Sequence, residues 1–251
     1  MGRIYTAALC IIGDEILSGR TQDRNVAQIA QWLNVQGIRL AEVRVVPDVE
    51  EKIVKAVNEL RDENDYLFTT GGIGPTHDDI TVDAIAAALE VPVVEHPEAR
   101  AMLENYYARI GGELTEARLR MARVPEGADL IPNPVSGAPG IKVANIFIMA
   151  GIPHITAGML EGLTGTLEGG NPLVSETVGA FVPESEVADM LREVMKRYPD
   201  TAIGSYPFFK DGRVGSNFVV RAEDGEVAKR CANELAEKLD TAGFPSVPGG
   251  I

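Results

Sequence analysis

The feature that most constrains the fold of this chain is an alternation of short apolar runs with amphipathic stretches in its N-terminal third. The apolar runs have the length of β-strands, and the stretches between them space apolar residues three and four apart, as helices do. Strands that alternate with helices indicate a parallel sheet covered on both faces. We therefore predict an α/β fold with three layers. The predicted elements are strand 7–13, helix 25–36, strand 38–46, a helix over 49–60 capped by Asp48, strand 65–70 and helix 79–90.

The remainder of the chain does not continue this regular alternation of strands and helices. We predict helical structure over 97–123, a long structured loop in "VPEGADLIPNPVSGAPG", one strand in "IKVANIFIMAG" and a helix over 153–163. The glycines of "EGGN" at 168–171 mark a linker. Beyond it, strand 177–182, helix 184–198, strands 202–209 and 216–222 and helix 224–239 give the βαββα order of a small α+β module. Two domains are predicted, 1–168 and 175–251.

Composition narrows the classes of function. The formal net charge is −14, so the surface field repels phosphates, and we expect neither nucleic acid nor an anionic membrane as a partner. The sequence contains neither an apolar run long enough to cross a bilayer nor a signal-peptide pattern, so we expect a cytoplasmic protein. Cys10 and Cys231 are far apart, which argues against a disulfide framework or a structural zinc site. A phosphorylated ligand would need backbone N–H groups or a metal ion.

The stretch "TTGGIGPTHDDIT" at 69–81 joins a predicted strand to a predicted helix. Ligands bind at this position in α/β sheets, and helix N-termini attract anions. Gly71, Gly72 and Gly74 lack side chains that would keep a phosphate from the backbone, whereas Asp78 and Asp79 carry carboxylates suited to a divalent cation or to positioning a water. The alternatives are that either aspartate is a helix N-cap and that His77 is a solvated loop residue.

A second group of acidic residues follows the first two predicted strands. Asp14 and Glu15 come after Gly13, and Asp48 comes after the second strand. Because parallel strands end at the same edge of a sheet, three strand ends would bring acidic side chains to one cleft. The alternative is that Asp14 caps a turn and Glu15 is solvated.

The motifs "GDEILSG", "PDVEEKI", "TTGGIGPTHDDIT", "NPVSGAPG" and "AGIP" occur here in the order in which they occur in a known family. The chain resembles the molybdopterin-binding domain, and as a whole the N-terminal region of the CinA (competence/damage-inducible) family. The resemblance implies a MoaB/Mog-like α/β domain followed by a small KH-like α+β subdomain. Longer members of that family continue into a nicotinamide-nucleotide amidase domain, so we expect no deamidase activity from the sequence given.

The resemblance also implies a set of site residues. Asp79, Asp78 and Asp48 are the expected catalytic residues, and Asp14, Asp78 and Asp79 the expected metal ligands. Two motifs depart from the family pattern. Ser136 and Gly137 replace Gly and Thr in "NPVSGAPG", and Ile155 replaces the glutamate expected after "AGIP". The expected ligand-binding residues are Gly13, Asp14, Glu15, Thr70, Gly71, Gly72, Gly74, Pro75, Thr76, Gly137, Gly140 and Gly151.

The function predicted first is a metal-dependent pyrophosphatase that acts on a diphosphate linkage such as that of ADP-ribose or FAD. Its cofactor would be Mg, Mn or Co, and the resemblance also allows a monovalent cation. The alternative is a protein that binds or adenylylates molybdopterin phosphate. A third class, RNA binding, rests on the G-x-x-G of "GRVG" at 212–215, which fits an Asp-Gly hairpin turn better. The expected partner is a phosphorylated small molecule, and we expect a homo-oligomer.

Overall fold

The computed structural model describes residues 3–251. The chain divides into two compact units, Met1–Gly170 and Asn171–Ile251. Among the helices of the described residues, none combines the length and apolar character needed to cross a membrane.

The first unit is built on a six-stranded sheet with the strand order β2-β1-β3-β8-β7-β6. Parallel pairing joins β2 to β1, β1 to β3 and β3 to β8, whereas β7 and β6 add to the sheet antiparallel. Separately, β4 pairs with β5. The strands are β1 Tyr5–Ile12, β2 Ile38–Val46, β3 Tyr66–Thr70, β4 Val93–Glu95, β5 Arg123–Pro125, β6 Asp129–Ile131, β7 Gly140–Val143 and β8 Ile146–Met149.

Helices cover both faces of this sheet, which confirms the predicted α/β fold with three layers. Apolar residues of α3 and α4 pack on one face, and those of α2 and α7 pack on the other. The rings of Phe68 and Phe147 stack with centroids 4.9 Å apart in the second core. The helices are α1 Asp14–Leu17, α2 Asn25–Val35, α3 Glu50–Glu63, α4 Thr81–Ala88, α5 Pro97–Ile110, α6 Glu116–Leu119 and α7 Pro153–Leu163.

The segment 141–151, predicted as a single strand, instead lies within the hairpin of β7 and β8. The chain reverses at Ala144, whose φ of 51° is left-handed, and Asn145 anchors the turn by donating to the carbonyl oxygen of Arg61 at 2.9 Å. Ala-Asn is not a strong turn signal, so the apolar run by itself predicts a continuous strand. The predicted long loop likewise contains β5 and β6.

The predicted helix over 97–123 is interrupted. Its first part ends as α5 at Ile110, and the next residue, Gly111, has a left-handed φ of 67°, the conformation that commonly terminates helices. The chain continues through α6 and a 3-10 turn, Arg120–Ala122. Because the helix is interrupted, Arg120 lies in this 3-10 turn and not in a continuous helix.

The second unit has the predicted βαββα order followed by a short strand. Its antiparallel sheet has the strand order β10-β11-β9-β12, and the core beneath its two helices includes Phe218, Val187 and Leu235. Asp211 and Gly212 have φ values of 52° and 74°, the pair of positive values that a type I′ hairpin turn requires, so the prediction of an Asp-Gly hairpin is confirmed. The elements are β9 Val174–Ala180, α8 Glu184–Arg197, β10 Ala202–Lys210, β11 Arg213–Ala222, α9 Gly225–Thr241 and β12 Val247–Pro248.

Candidate functional site

The parallel strands of the first unit end side by side, and their ends form the base of the candidate site. The N–H of Gly13, just after β1, donates to the carbonyl oxygen of Val46 in β2 at 3.1 Å, and the N–H of Gly71, just after β3, donates to Met149 in β8 at 3.2 Å. We call this surface the strand-end edge. It is the edge at which α/β sheets bind ligands.

Asp79 organises the glycine loop, residues 71–80. Its carboxylate accepts hydrogen bonds from the N–H groups of Gly74 and Thr76, each at 2.7 Å, and from the Thr76 hydroxyl. The helix α4 begins at Thr81, two residues later than predicted, so Asp79 precedes the helix and folds back into the loop. Both carboxylate oxygens are thus engaged in holding the loop.

The glycines of the loop permit close packing against the rest of the unit. A Cβ atom on Gly71 would overlap the carbonyl oxygen of Ile12, and one on Gly72 would overlap the hydroxyl of Thr81. A Cβ on Gly74 would lie 2.7 Å from the Asp79 carboxylate. These glycines are therefore required for contact with β1, α4 and Asp79, and their binding of a phosphate through the loop backbone stays a prediction.

Two polar residues that sequence reasoning missed hold this edge together. The buried hydroxyl of Thr81 donates to the carbonyl oxygen of Gly71 at 2.8 Å. The buried Asn25 amide donates to the carbonyl oxygen of Gly151 at 2.8 Å. A Cβ on Gly151 would lie 3.3 Å from the Cα of Gly71, so the predicted residue Gly151 does lie beside the loop. The one local signal for Asn25 was a polar residue at a helix start.

Asp48, which follows β2, accepts a hydrogen bond from a residue just after the end of β1. Its carboxylate accepts the N–H of Asp14 at 2.9 Å. The prediction that Asp48 caps a helix is wrong, because α3 begins at Glu50 and Val49 stands at its N-cap position. Burial raises the pKa of the Asp48 carboxyl, and the nearby carboxylates of Glu15, Asp14 and Asp78 raise it further, against the hydrogen bond from Asp14.

These four residues, Asp14, Glu15, Asp48 and Asp78, form what we call the acidic edge. Three successive strand ends supply it, as the sequence predicted. Asp78 is exposed, with its carboxylate 3.9 Å from Nδ1 of His77. The Thr76 side chain and the backbone of Asp78 itself lower the pKa of this carboxyl. The adjacent aspartates thus have separate surroundings: Asp78 lies near Asp48, whereas Asp79 is bound within the loop.

The predicted metal ligands Asp14, Asp78 and Asp79 do not form a ready-made metal site. Within residues 3–251, no group of three or more His, Cys, Asp or Glu side chains is arranged to hold an ion. Magnesium is commonly held by one or two carboxylates together with phosphate oxygens of the substrate. The carboxylates of the acidic edge suit this kind of magnesium site, in which phosphate oxygens of the ligand complete the coordination.

A narrow cleft separates the glycine loop from the segment 120–123. Gly72, Gly74 and Asp79 line one side, and Arg120 and Arg123 line the other. The enclosed space has room for about one water molecule. Arg123 forms a two-pronged ion pair with Asp83 of α4. Sequence reasoning missed both arginines, because neither stands in a glycine-rich or acidic motif.

Two more of the predicted ligand-binding glycines, Gly137 and Gly140, are closely packed, and their binding of a ligand stays a prediction. A Cβ on Gly137 would overlap the ring of Tyr106, and a Cβ on Gly140, within β7, would lie 3.1 Å from the carbonyl oxygen of Ile148. Neither glycine lines the cleft beside Arg120. Pro75 and Thr76 remain part of the glycine loop, and Thr70 ends β3 directly before it. Ile155 packs against the apolar core, so this position has no carboxylate function here.

Residues 8–168 match the family model described as a probable molybdopterin binding domain, and residues 172–247 match the model of the FAD synthase middle domain. A protein from Pyrobaculum calidifontis is 38% identical over 211 residues, which cover 80% of each chain. A CinA-like protein from Citrifermentans bemidjiense is 35% identical over 92% of this chain, and the match spans 58% of that protein.

A solved structure is also similar to this chain. The crystal structure of the protein CinA with unknown function from Thermoplasma acidophilum has a TM-score of 0.60 at 30% identity, and the match covers 65% of this chain and 99% of that one. The family match, the glycine loop and the acidic strand ends all fall within the first unit. The chain therefore belongs to the family of probable molybdopterin binding domains and, within it, to the CinA-like proteins.

Proposed function

We propose that the first unit binds a phosphorylated small molecule at the strand-end edge and hydrolyses a diphosphate linkage with the help of a divalent metal ion. ADP-ribose and FAD represent the proposed substrate class. The observation that carries the proposal is the acidic edge itself, where Asp48 accepts the N–H of Asp14 and lies near Glu15 and Asp78, beside a glycine loop at a helix N-terminus.

The acidic edge supplies the carboxylates for this chemistry. Asp14, Glu15 and Asp78 would hold the metal together with phosphate oxygens of the substrate. When bound, a divalent ion neutralises charge on the diphosphate. Asp79 is a positioning residue, because its carboxylate is taken up by the amides of the loop.

Asp48 is suited to the role of general base. Its carboxylate lies at the strand-end edge, where it accepts the N–H of Asp14 at 2.9 Å, and a carboxylate beside the substrate can take a proton from the attacking water. In the proposed reaction, water gives a proton to Asp48 as its oxygen bonds to one phosphorus. The bond from that phosphorus to the bridging oxygen breaks, and the bridging oxygen leaves on the other phosphate. ADP-ribose would give AMP and ribose 5-phosphate, and FAD would give AMP and FMN.

A second candidate function follows from the family match over residues 8–168. The same edge would then bind molybdopterin phosphate, alone or for adenylylation with a Mg-nucleotide. A ligand that binds the native state raises its melting temperature. Comparing the shift caused by molybdopterin with the shifts caused by ADP-ribose and FAD therefore separates the two candidates.

The proposed function is tested by assaying hydrolysis of ADP-ribose and FAD with Mg, Mn or Co, with and without potassium. We expect metal-dependent release of AMP, and a reduction in turnover on the order of a hundredfold or more for Asp48→Asn. Asp211→Asn, in the hairpin of the second unit, is the matched control and should keep the parental rate. Absence of AMP with every metal, or parental turnover in Asp48→Asn, contradicts the proposal.

A further inference from the structure

We infer that Arg120 is the residue that binds a phosphoryl group at the glycine loop. This inference rests on the proposed phosphate site and adds to it a cation that neither the motifs nor the family match assigns. Arg120 lies in the 3-10 turn after α6 and lines the narrow cleft opposite Gly72, Gly74 and Asp79.

Two aspartates and two arginines line the cleft, and they differ in their hydrogen-bond partners. Asp79 is hydrogen-bonded to the loop, and Arg123 and Asp83 are paired with each other. Within residues 3–251, the Nε of Arg120 is buried and has no hydrogen-bond partner. A buried N–H of a charged group is normally paired. The cleft thus has an unsatisfied cationic donor, which an anion would complete.

The first turn of α4 borders the same cleft. Val82 and Asp83 line it, and their N–H groups lie in the first helical turn, where a helix provides no internal acceptor. Ile80, at the N-cap position, has no polar side chain that could serve instead. Helix N-termini and arginine both favour phosphate, and arginine can bind it through two parallel hydrogen bonds.

The backbone holds Arg120 in place from both sides. Thr115 caps α6 by accepting the N–H of Arg118, and the carbonyl oxygen of Ala122 accepts the N–H of His96 at 2.8 Å. Ala122 is buried against Ala99 and Leu103. Because the enclosed space admits about one water molecule, one phosphoryl oxygen would enter the cleft while the rest of the ligand remains toward the strand-end edge.

The test measures binding of inorganic pyrophosphate by calorimetry, together with the melting temperature without ligand. We expect Arg120→Met to weaken binding about tenfold or more, and Arg120→Lys to retain part of the affinity. The melting temperature of Arg120→Met should equal or exceed that of the parent, since the substitution removes a buried donor that lacks a partner. Arg118→Met is the matched control, because Arg118 packs over the Tyr107 ring and should leave binding unchanged.

Parental affinity for pyrophosphate in Arg120→Met overturns the inference. A clear loss of melting temperature in that variant without ligand also overturns it, because Arg120 would then be a structural residue. A parent protein that does not bind pyrophosphate overturns both the inference and the phosphate site. If the parent binds pyrophosphate through Arg120 but hydrolyses neither ADP-ribose nor FAD, the proposed reaction fails and this inference stands.

Discussion

Four stretches of this chain have the pattern G-x-x-G, and two of them are compared most usefully: 71–74 in the glycine loop and 212–215 in the hairpin of the second unit. The first is fixed by distant partners: Gly71 lies against Ile12, Gly72 lies against Thr81, and Asp79 binds the loop amides. The second follows Asp211 as a type I′ turn. Apart from its chain neighbours, no described atom lies within 4 Å of a Cβ placed on Gly212, whereas a Cβ on Gly215, already within β11, would overlap the ring of Phe208.

The difference between Gly71 and Gly212 shows that contacts with other segments at the turning residues, and not the glycine pattern, distinguish a candidate binding loop from a turn. The hairpin turn is explained by backbone geometry alone. The glycine loop instead brings together a strand end, a helix start and an aspartate carboxylate. Matched substitutions in the two stretches can test this distinction.

The largest expected difference in the free energy of unfolding is between the variants Gly71→Ala and Gly212→Ala. Gly71 has a φ of 100°, and a Cβ there would overlap a backbone oxygen that cannot move aside, so we expect a loss of about 4 kcal/mol in the free energy of unfolding. Gly212→Ala should lose only about 1 kcal/mol, the cost of a left-handed alanine. Urea denaturation measures both. Equal losses would mean that the glycine loop is no more constrained than the hairpin.

A smaller difference is expected between Asp79→Asn and Asp211→Asn. Asparagine offers one acceptor oxygen and no charge to the amides of Gly74 and Thr76, so Asp79→Asn should lower the free energy of unfolding by about 2 to 3 kcal/mol. Asp211→Asn should change it by less than about 0.5 kcal/mol, because asparagine suits the first position of a type I′ turn. Urea denaturation measures the free energy of unfolding of both variants, and a ligand-binding assay is run in parallel on each. A stable, ligand-binding Asp79→Asn variant would contradict the organising role of Asp79.

The smallest expected effect concerns Asp48. Its substitution should raise the free energy of unfolding, whereas the substitutions above should lower it. Because its pKa is raised in the folded state, the native protein binds this proton more tightly than the unfolded chain. The contribution to stability is therefore present at low pH and is lost as the pH rises from the ordinary value of 3.8 through the raised one. Asp48→Asn should remove this dependence and raise stability at neutral pH by less than about 1 kcal/mol, since the group is partly exposed.

Melting curves of the parent and Asp48→Asn between pH 3 and pH 8 measure this effect. A marked destabilisation of the variant at neutral pH would show that the Asp48 charge supports the fold. Asparagine can still accept the N–H of Asp14, so loss of that hydrogen bond would not account for such a result.

The sequence predicted the layered architecture because strand and helix periodicities are local properties. It also predicted that Asp14, Asp48 and Asp78 share one edge, since this follows from the parallel order of the strands. It did not predict that Asp48 binds the Asp14 amide, a contact between positions 34 residues apart. The sequence also did not predict that the Nε of Arg120 lacks a hydrogen-bond partner. This depends on the pairing of Arg123 with Asp83, which lie 40 residues apart in the sequence.

The most direct test of this account is to locate ligand binding residue by residue. We would titrate isotopically labelled protein with ADP-ribose and Mg²⁺ and follow the backbone amide resonances by NMR. We expect the largest shifts at Asp14, Glu15, residues 71–83 and Arg120, and unchanged resonances at 211–215. Shifts concentrated in the hairpin, or in the region of Tyr106 and Gly137, would place the ligand elsewhere and contradict the account.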